Sequence, residues 1–191
     1  MDDKGRIIYQ TVYESPVGAL TLTASEDALT ALSFPRELYP EDLERLTKER
    51  EVCIPAADKI PRILRETREW LDIYFSGKRP DFTPALAPQG SDFRKVVWEE
   101  LLKIPYGCTI TYGQIAKQVA DRKGILRMSA QAVGGAVGHN PIGIIIPCHR
   151  VVGTGGNLTG FGGGIRTKEA LLKLEGMDMG RFYIPKKGTA L

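Results

Sequence analysis

Two adjacent residues, Cys148 and His149, are the side chains of this sequence best suited to do chemistry. A cysteine attacks as its thiolate, and a usual pKa of roughly 8.5 leaves only a small thiolate fraction at neutral pH. A neighbouring histidine or arginine, such as His149 or Arg150, raises that fraction. The pair is weak support by itself, because a buried, inert cysteine is more common than a nucleophile. Its setting in the chain therefore decides what it does.

The residues before the cysteine predict how its sulfur is held. Asn140-Pro141 is a turn signal, and residues 144–146 are three isoleucines, a run typical of a buried strand. Pro147 then restricts the backbone directly before the cysteine. We expect a rigid strand that ends at Cys148. Because adjacent strand residues face opposite sides, the histidine reaches the thiol only past the end of the strand or through a water.

Two glycine-rich stretches, residues 153–157 and 160–164, follow the cysteine. They lack the Gly-Lys-Ser/Thr ending of a phosphate-binding P-loop. We interpret the first as a hairpin turn, and the second as a flexible wall whose backbone N–H groups can lie against a planar ligand. A last helix is predicted over residues 167–175, and Gly176 ends it.

Three earlier helices must position these segments. Ser91 is a suitable N-cap for the first helix, and Thr111 with Gln114 has capping-box spacing for the second. The second helix is predicted to end near Lys123, and the third spans residues 129–138. Two short helices joined by a brief turn are the basis of a helix-turn-helix.

The third helix is unusual, because residues 130–138 contain three glycines and three alanines. A glycine costs roughly 1 kcal/mol against alanine inside a helix, so three of them need a reason. Close packing against another helix is one explanation, and close approach to a bulky ligand such as a nucleic-acid backbone is the other. The segment alone leaves both open.

The first third of the chain predicts strands followed by helices. Residues 6–13, 18–24 and 28–34 are short segments rich in Ile, Val, Leu, Thr and Tyr, separated by turn signals. A charged helix is expected over residues 40–50, and a longer helix over residues 60–75. These elements predict a small α+β domain that carries no catalytic residues.

Three prolines within residues 79–90 indicate an extended linker, and we place the domain boundary there. The predicted arrangement is a first domain over residues 1–88, a second over residues 89–180, and a tail over residues 181–191.

Charge and composition narrow the class of protein. Residues 1–90 hold 12 Lys/Arg and 16 Asp/Glu, a net charge of −4, whereas residues 91–191 hold 14 and 7, a net charge of +7. The basic half suggests a polyanionic partner, although an unevenly charged solvated surface explains it equally well. Three cysteines argue against a disulfide framework, and two histidines argue against a zinc site. No apolar run is long enough for a membrane span and no export signal is evident, so we expect a cytosolic protein.

Around the cysteine the sequence resembles the O6-alkylguanine-DNA alkyltransferases, also called methylated-DNA–protein-cysteine methyltransferases. The most specific part is residues 147–151, Pro-Cys-His-Arg-Val, preceded by Asn140-Pro141. The likeness covers residues 91–176, whereas the N-terminal half matches only in size, order of elements and lack of chemistry. Further matching segments are residues 105–107, 111–113, 134–136, 160–164, 168–169, 171–172 and 175–176.

The resemblance implies an α+β fold, with an N-terminal ribonuclease-H-like domain and a C-terminal winged helix-turn-helix domain that carries the active site. The recognition helix enters the minor groove of double-stranded DNA, and O6-alkylguanine is flipped into a pocket beside the cysteine. The alkyl group passes irreversibly to Cys148, so each molecule acts once in DNA repair. No cofactor or metal is implied, and we expect a cytoplasmic monomer.

The resemblance also assigns catalytic roles. Cys148 accepts the alkyl group, His149 is its base through a water, and Glu175 orients His149. Tyr112 donates a proton toward N3 of the leaving guanine. Asn140 braces the turn between the recognition helix and the active-site strand.

Other residues are expected to hold the base and the DNA. The carbonyls of Cys148 and Val151 accept from the exocyclic amine, and the backbone N–H of Gly162 faces O6. The remaining pocket residues are Val137, Gly143 and Phe161. The expected DNA-contacting residues are Arg127, Ala130, Gln131 and Arg150.

The sequence departs from the family pattern in two places. Many relatives carry an arginine in the recognition helix that fills the gap left by the flipped base, whereas this sequence has Gln131, with Arg127 as an alternative. Some relatives also carry an N-terminal zinc site, whose ligands are missing here.

Two other functions remain to be compared with alkyl transfer. A non-enzymatic lesion-binding protein of the same fold would have its nucleophile replaced, and Cys148 argues against it. A thiol hydrolase would need an oxyanion arrangement that the sequence does not supply.

Overall fold

A computed structural model describes residues 7–34, 52–56 and 59–185 of the chain. The backbone separates into two units, residues 1–88 and residues 89–191. Helices and strands occur in both units, in agreement with the α+β fold class. No helix within these described stretches is long and apolar enough to cross a membrane.

The first unit is built on a four-stranded sheet in the order β3-β2-β1-β4. Alternate residues of β2 are fully buried (Leu20, Leu22 and Ala24), as expected for a sheet with one face on the core. Antiparallel pairing joins β1 to β2 and β2 to β3, whereas β4 lies parallel to β1. The strands are β1 (Ile8–Ser15), β2 (Gly18–Ala24), β3 (Leu29–Ser33) and β4 (Val52–Cys53).

The three strands predicted from the sequence are confirmed, and a tight hairpin joins the first two. Ser15 pairs with Gly18 across the two-residue turn, and Gly18 has a φ of 103° that favours glycine. β4 was not predicted, because two residues are too few to show an alternating pattern.

The long helix of the first unit, α1 (Arg62–Phe75), confirms the helix predicted over residues 60–75. It begins two residues later than predicted because Pro61 occupies the N-cap position. Its buried face consists of Ile63, Leu64, Thr67, Trp70, Leu71 and Tyr74. The helix predicted over residues 40–50 lies outside the described residues.

The proline-rich stretch after α1 is extended, but part of it belongs to the first unit. The backbone N–H of Leu29 donates to the Ala85 carbonyl, and that of Ala87 donates to the Leu29 carbonyl, both at 2.8 Å. The indole of Trp70 donates to the Phe82 carbonyl at 2.9 Å. Residues 82–87 are therefore bonded to the start of β3 and to α1, and are not a free linker.

Over residues 89–185, the part that the structure describes, the second unit contains four α-helices, short 3₁₀ turns and a two-stranded parallel sheet. Ile110 pairs with Val151 and Thr111 pairs with Val152 in that sheet. The elements are α2 (Asp92–Leu102), β5 (Ile110–Thr111), α3 (Tyr112–Lys123), α4 (Ala130–Gly138), β6 (Val151–Val152) and α5 (Ile165–Leu174).

The helix starts predicted in the second unit are confirmed by their caps. The side chains of Ser91 and Ser129 accept from backbone N–H groups three residues on, which begins α2 and α4. Thr111 and Gln114 form the complete capping box of α3, and Gly124 ends that helix in the left-handed conformation. Helices α2, α3 and α4 pack on one another, with the Trp98 indole donating to the Ala136 carbonyl at 2.8 Å. The expected helix-turn-helix pair, α3 and α4, is present.

The strand predicted over residues 144–146 is wrong. These isoleucines form tight turns, with Ile144 at a φ of 65° and the Ile146 N–H donating to the Ile142 carbonyl at 3.1 Å. The chain then enters a short 3₁₀ turn, Cys148–Arg150. All three isoleucines are buried. The apolar run therefore indicated that these residues are buried, but not that they form a strand. Turns can be buried as strands are when a side chain forms hydrogen bonds with their backbone groups.

The predicted tail also begins too early. The Tyr183 N–H donates to the Gly156 carbonyl, and the Tyr183 carbonyl accepts from the Leu158 N–H at 2.9 Å. Phe182 packs against the buried cluster that contains Leu158 and Leu172. Residues 181–183 are thus part of the second unit.

This packing predicts that Gly156→Ala destabilises the second unit. Gly156 has a φ of 86°, and a Cβ there would lie 2.1 Å from the Arg181 carbonyl oxygen. We expect a loss of about 2–4 kcal/mol from the clash and the backbone strain together. Gly155→Ala is the matched control, because Gly155 also has a positive φ but open space around its Cβ position. Urea unfolding measures both, and equal losses would show that residues 181–183 do not pack as described.

Candidate active site

The thiol of Cys148 lies at the start of the 3₁₀ turn and is buried. The side-chain amide of Asn140 donates to Sγ at 3.0 Å and to the Ile146 carbonyl at 2.8 Å. The Asn140 side-chain oxygen accepts from the Ile142 N–H at 3.1 Å. The Asn140 side chain therefore forms hydrogen bonds with backbone groups of the turns found in place of the expected strand, and it also holds the sulfur.

The environment keeps this thiol protonated at rest. Burial raises the pKa of Cys148, which outweighs the Asn140 hydrogen bond, the positive charge of Lys168 and the backbone N–H groups that act in the opposite direction. A protonated thiol is a poor nucleophile, so the reaction needs a base beside it.

His149 and Glu175 form a fully buried pair, with Nε2 2.6 Å from Oε1. Burial lowers the pKa of His149 against the opposing effect of Glu175, so the ring is neutral at pH 7. Burial alone would raise the pKa of Glu175, but the hydrogen bonds from His149 and Arg150 outweigh it and lower the pKa to about 2. Because the carboxylate is ionised, Nε2 must carry the proton of the neutral ring, and Nδ1 carries the lone pair.

The carboxylate of Glu175 is held by further donors. Nε of Arg150 donates to Oε2 at 2.9 Å and Nη2 donates to Oε1 at 3.0 Å. The Gly107 N–H donates to Oε2 at 3.0 Å from the turn after α2. The guanidinium also donates to the Ile104 carbonyl at 2.7 Å and lies over the Tyr106 ring.

The expectation that Arg150 contacts DNA does not fit this position. Its side chain is 90% buried, with 10% relative exposure, and its guanidinium is bonded to Glu175 and to a backbone carbonyl. A DNA phosphate would have to compete with an ion pair inside the protein. We therefore assign Arg150 the role of holding the carboxylate that orients His149.

Tyr112 is the first residue of α3, placed there by the capping box at Thr111. Its hydroxyl donates to the carbonyls of Thr159 and Gly160 at 3.3 and 3.5 Å. Burial raises the pKa of Tyr112 to about 12, and the negative charge of Cys148 acts in the same direction once the thiolate forms. The phenol therefore keeps its proton at neutral pH and is available as a donor.

The residues expected to line the pocket come from four segments. Val137 lies in the last turn of α4, Gly143 in the turns before the thiol, and Val151 at the start of β6; all three are buried. Phe161 stands edge-on to the His149 ring, with centroids 6.5 Å apart. Gly162 follows it in the glycine-rich loop, with no heavy atom within 4 Å of a Cβ built there.

The bare face of α4 is open to solvent. Gly135 is exposed, and a Cβ there would meet nothing within 4 Å. A Cβ on Gly134 would meet only the Tyr112 ring at 3.8 Å, an ordinary contact. Close helix packing therefore does not explain these two glycines. Ala130 and Gln131 are exposed at the same helix, and Arg127 is exposed in the turn before it.

Lys168 is a residue of the site to which the sequence assigned no role. Its side chain is fully buried, and Nζ donates to the carbonyls of Val151 at 2.5 Å and Thr159 at 2.9 Å. The available signal was helical spacing, since Lys168 shares the buried face of α5 with Leu171 and Leu172. A lysine is rarely buried, so that spacing alone does not distinguish it from a surface residue.

The buried pair predicts that acid destabilises the second unit. The lowered pKa of His149 removes stability as the pH falls below roughly 6.5, where the unfolded histidine takes up a proton. Glu175, with its pKa of about 2, loses its contribution as the pH falls from roughly 4.3 toward that value. Thermal melts from pH 8 to pH 3 should therefore show a falling Tm with two steps.

Glu175→Gln tests the same network at fixed pH. Removing the charge leaves Arg150 buried without its anion, and we expect a loss of about 3–5 kcal/mol at pH 7. Glu99→Gln is the control, because Glu99 forms an exposed ion pair with Arg122, and such pairs contribute little to stability. Similar losses in the two variants would contradict the central role of Glu175.

Models of one protein family match both units of the chain. Residues 8–88 match the ribonuclease-like domain of 6-O-methylguanine DNA methyltransferase, and residues 92–177 match its DNA binding domain. The ribonuclease-like first domain and the DNA-binding second domain are thus confirmed.

Individual relatives extend over most of the chain. A methylated-DNA–protein-cysteine methyltransferase of Methanosarcina acetivorans is 40% identical over 169 residues, 88% of this chain and 99% of the relative. The crystal structure of Mycobacterium tuberculosis O6-methylguanine methyltransferase has a TM-score of 0.72 at 40% identity, covering 88% of this chain and 92% of that one. Another Mycobacterium tuberculosis structure, solved in complex with DNA, has a TM-score of 0.71 at 38% identity, covering 92% and 94%. The chain therefore belongs to the methylated-DNA–protein-cysteine methyltransferase family.

Proposed function

We propose that Cys148 repairs DNA by taking the alkyl group of O6-alkylguanine onto its sulfur, once per protein molecule. The observation that carries this assignment is the pair of hydrogen bonds Asn140–Cys148 and His149–Glu175. They hold a thiol and a buried, neutral histidine at adjacent positions of one 3₁₀ turn. Membership of the family supplies the reaction class, methyl transfer from DNA to a protein cysteine.

The first step creates the thiolate. Nδ1 of His149 takes the thiol proton through a water, and the ionised Glu175 stabilises the imidazolium that forms. Neutral His149 is ready for this at pH 7 because burial lowers its pKa. The Asn140 amide, 3.0 Å from Sγ, then donates to the negative sulfur.

The second step transfers the alkyl group. The thiolate attacks the carbon attached to O6, so an S–C bond forms as the C–O6 bond breaks and the guanine leaves as an anion. Tyr112 gives its proton toward N3, which lowers the cost of that anion. The carbonyls of Cys148 and Val151 hold the exocyclic amine, and the Gly162 N–H faces O6. The product is a thioether, which is not hydrolysed, so the protein acts once.

Duplex DNA lies along the bare face of α4 in this proposal. Exposed Gly135 lets a backbone approach closely, which suits insertion into a minor groove roughly 6 Å wide. Gln131 fills the gap left by the flipped base, with Arg127 alongside, and Ala130 faces the DNA backbone. The net charge of +7 in residues 91–191 favours association with the polyanion.

A lesion-binding protein of the same fold that does not react is the less favoured alternative, because it has no use for a thiol held by Asn140 next to a buried, neutral histidine. Since a single chain supplies every group named above, we propose that the protein acts as a monomer. We place it in the cytoplasm, with its DNA substrate.

Mass spectrometry tests the acceptor. Incubation with a duplex that contains O6-methylguanine should add one methyl group per protein molecule, on Cys148, and the gain should stop at one. Cys148→Ser should gain nothing. Cys108→Ser is the matched control, because Cys108 is exposed and outside the site, and it should react like the wild type. A methyl group on any other residue, or repeated turnover, would overturn the assignment.

Gln131→Ala tests the gap-filling role. Loss of a hydrogen bond to the orphaned base costs about 1 kcal/mol, so repair of a duplex lesion should slow about fivefold. Transfer from the free base O6-methylguanine should be unchanged, since no base is flipped. Repair of the duplex at the wild-type rate would exclude Gln131, and the same pair of assays on Arg127→Ala would then test the alternative.

A further inference from the structure

One buried charge in the second unit has no part in the steps above. Lys168 has no exposed surface, and its ammonium donates to two main-chain carbonyls, Val151 at 2.5 Å and Thr159 at 2.9 Å. Taking an ammonium out of water is costly, and carbonyl dipoles compensate less than a carboxylate does. Burial accordingly lowers the pKa of Lys168 to about 8. A methionine or leucine would fill the same space without that cost, so packing alone does not account for a lysine here.

The Thr159 carbonyl is shared between Lys168 and Tyr112. The ammonium lies 2.9 Å from this oxygen, whereas the Tyr112 hydroxyl lies 3.3 Å from it. A carbonyl oxygen has two lone pairs, so both donors bind at once. The Lys168 ammonium forms the shorter bond and draws electron density from the carbonyl oxygen. The hydrogen bond from the Tyr112 hydroxyl to the same oxygen is weaker as a result.

The other carbonyl bound by Lys168, that of Val151, connects the lysine to the backbone just before Tyr112. Val151 pairs with Ile110 of β5, and β5 leads directly into Tyr112 at the start of α3. Lys168 therefore joins the β5–β6 strand pair, which precedes Tyr112 in the chain, to the loop whose Thr159 carbonyl accepts from the Tyr112 hydroxyl. That loop continues into glycine-rich residues 160–164, which have little backbone stiffness of their own.

We propose that Lys168 is a positioning residue for Tyr112. Lys168 fixes the Thr159 carbonyl at a position where it accepts a weak hydrogen bond from the Tyr112 hydroxyl. The hydroxyl can then exchange this bond for one to the departing guanine. The inference rests on the proton-donor role proposed for Tyr112. It adds to that role a defined orienting group that lies on α5, remote in sequence from the tyrosine.

A double-mutant cycle tests the proposal. Alkyl transfer from a saturating duplex lesion is measured in single-turnover mode for the wild type, Lys168→Met, Tyr112→Phe and the double variant. Lys168→Met should slow transfer about tenfold in the wild-type background and less than about threefold in the Tyr112→Phe background, because the group it orients is then gone. A purely structural role would give the same factor in both.

Controls separate this result from misfolding and from failure of the proposed function. Lys173→Met removes an exposed lysine of the same helix and should leave the rate unchanged. The Tm and the affinity for lesion DNA confirm that each variant folds and binds. Where Lys168→Met does not fold, the cycle is run with Lys168→Gln, whose amide can donate hydrogen bonds but carries no charge. Equal factors in the two backgrounds, or an unchanged rate in Lys168→Met, would overturn the inference. A wild-type rate in Tyr112→Phe alone would overturn the proton-donor role as well.

Discussion

The buried carboxylate of Glu175 is the interaction on which the second unit depends. It accepts from His149 and Arg150 of the 3₁₀ turn and from the Gly107 N–H, which lies in the turn after α2. An ionised carboxylate with no exposure is stable only while its donors stay in place, since each lost donor leaves several kcal/mol of uncompensated desolvation. The end of α5, the turn after α2 and the 3₁₀ turn at the thiol are therefore fixed together by one charge.

The same constraint determines the chemistry. Because Glu175 stays ionised, it selects the tautomer of His149 with the proton on Nε2 and the lone pair on Nδ1. Burial keeps the imidazole neutral and the thiol protonated, so the resting protein holds a weak nucleophile beside a competent base. For a protein that reacts once, a protonated thiol limits reaction with adventitious electrophiles before a lesion is bound. The buried environment thus favours a selective, protonated thiol at rest and disfavours a permanently formed thiolate.

The sequence predicted those features that depend on local signals. The caps at Ser91 and Thr111 occupy the predicted positions, because a cap is a contact between residues three apart. Residues 144–146 were predicted wrongly as a strand because their apolar pattern indicates burial and not a strand. The Asn140 side chain binds the carbonyls of Ile142 and Ile146 in the turns, a contact that composition does not show.

Long-range partners account for the other differences. The inward position of Arg150 depends on Glu175, 25 residues further along the chain, and the burial of Lys168 depends on carbonyls of β6 and the loop after it. Helical spacing with Leu171 and Leu172 is the one local signal for Lys168, and it does not by itself distinguish a buried lysine from a surface lysine. The catalytic assignments in the sequence therefore came from family spacing, whereas the groups that orient the catalytic residues required the three-dimensional structure.

The connection between α4 and the thiol links DNA docking to the chemistry. Helix α4 ends at Gly138, and two residues later Asn140 donates to Sγ at 3.0 Å. The bare face of α4 carries glycines that each lower helix stability by roughly 1 kcal/mol relative to alanine, and packing does not require them. Their effect is a less stable helix with an open surface. A helix held only by its own propensity would be a poor platform, but Val133, Ala136 and Val137 anchor α4 in the core. In the proposed function, the surface that meets the DNA and the sulfur that reacts are thus connected through Asn140, so docking of α4 also bears on the position of the sulfur.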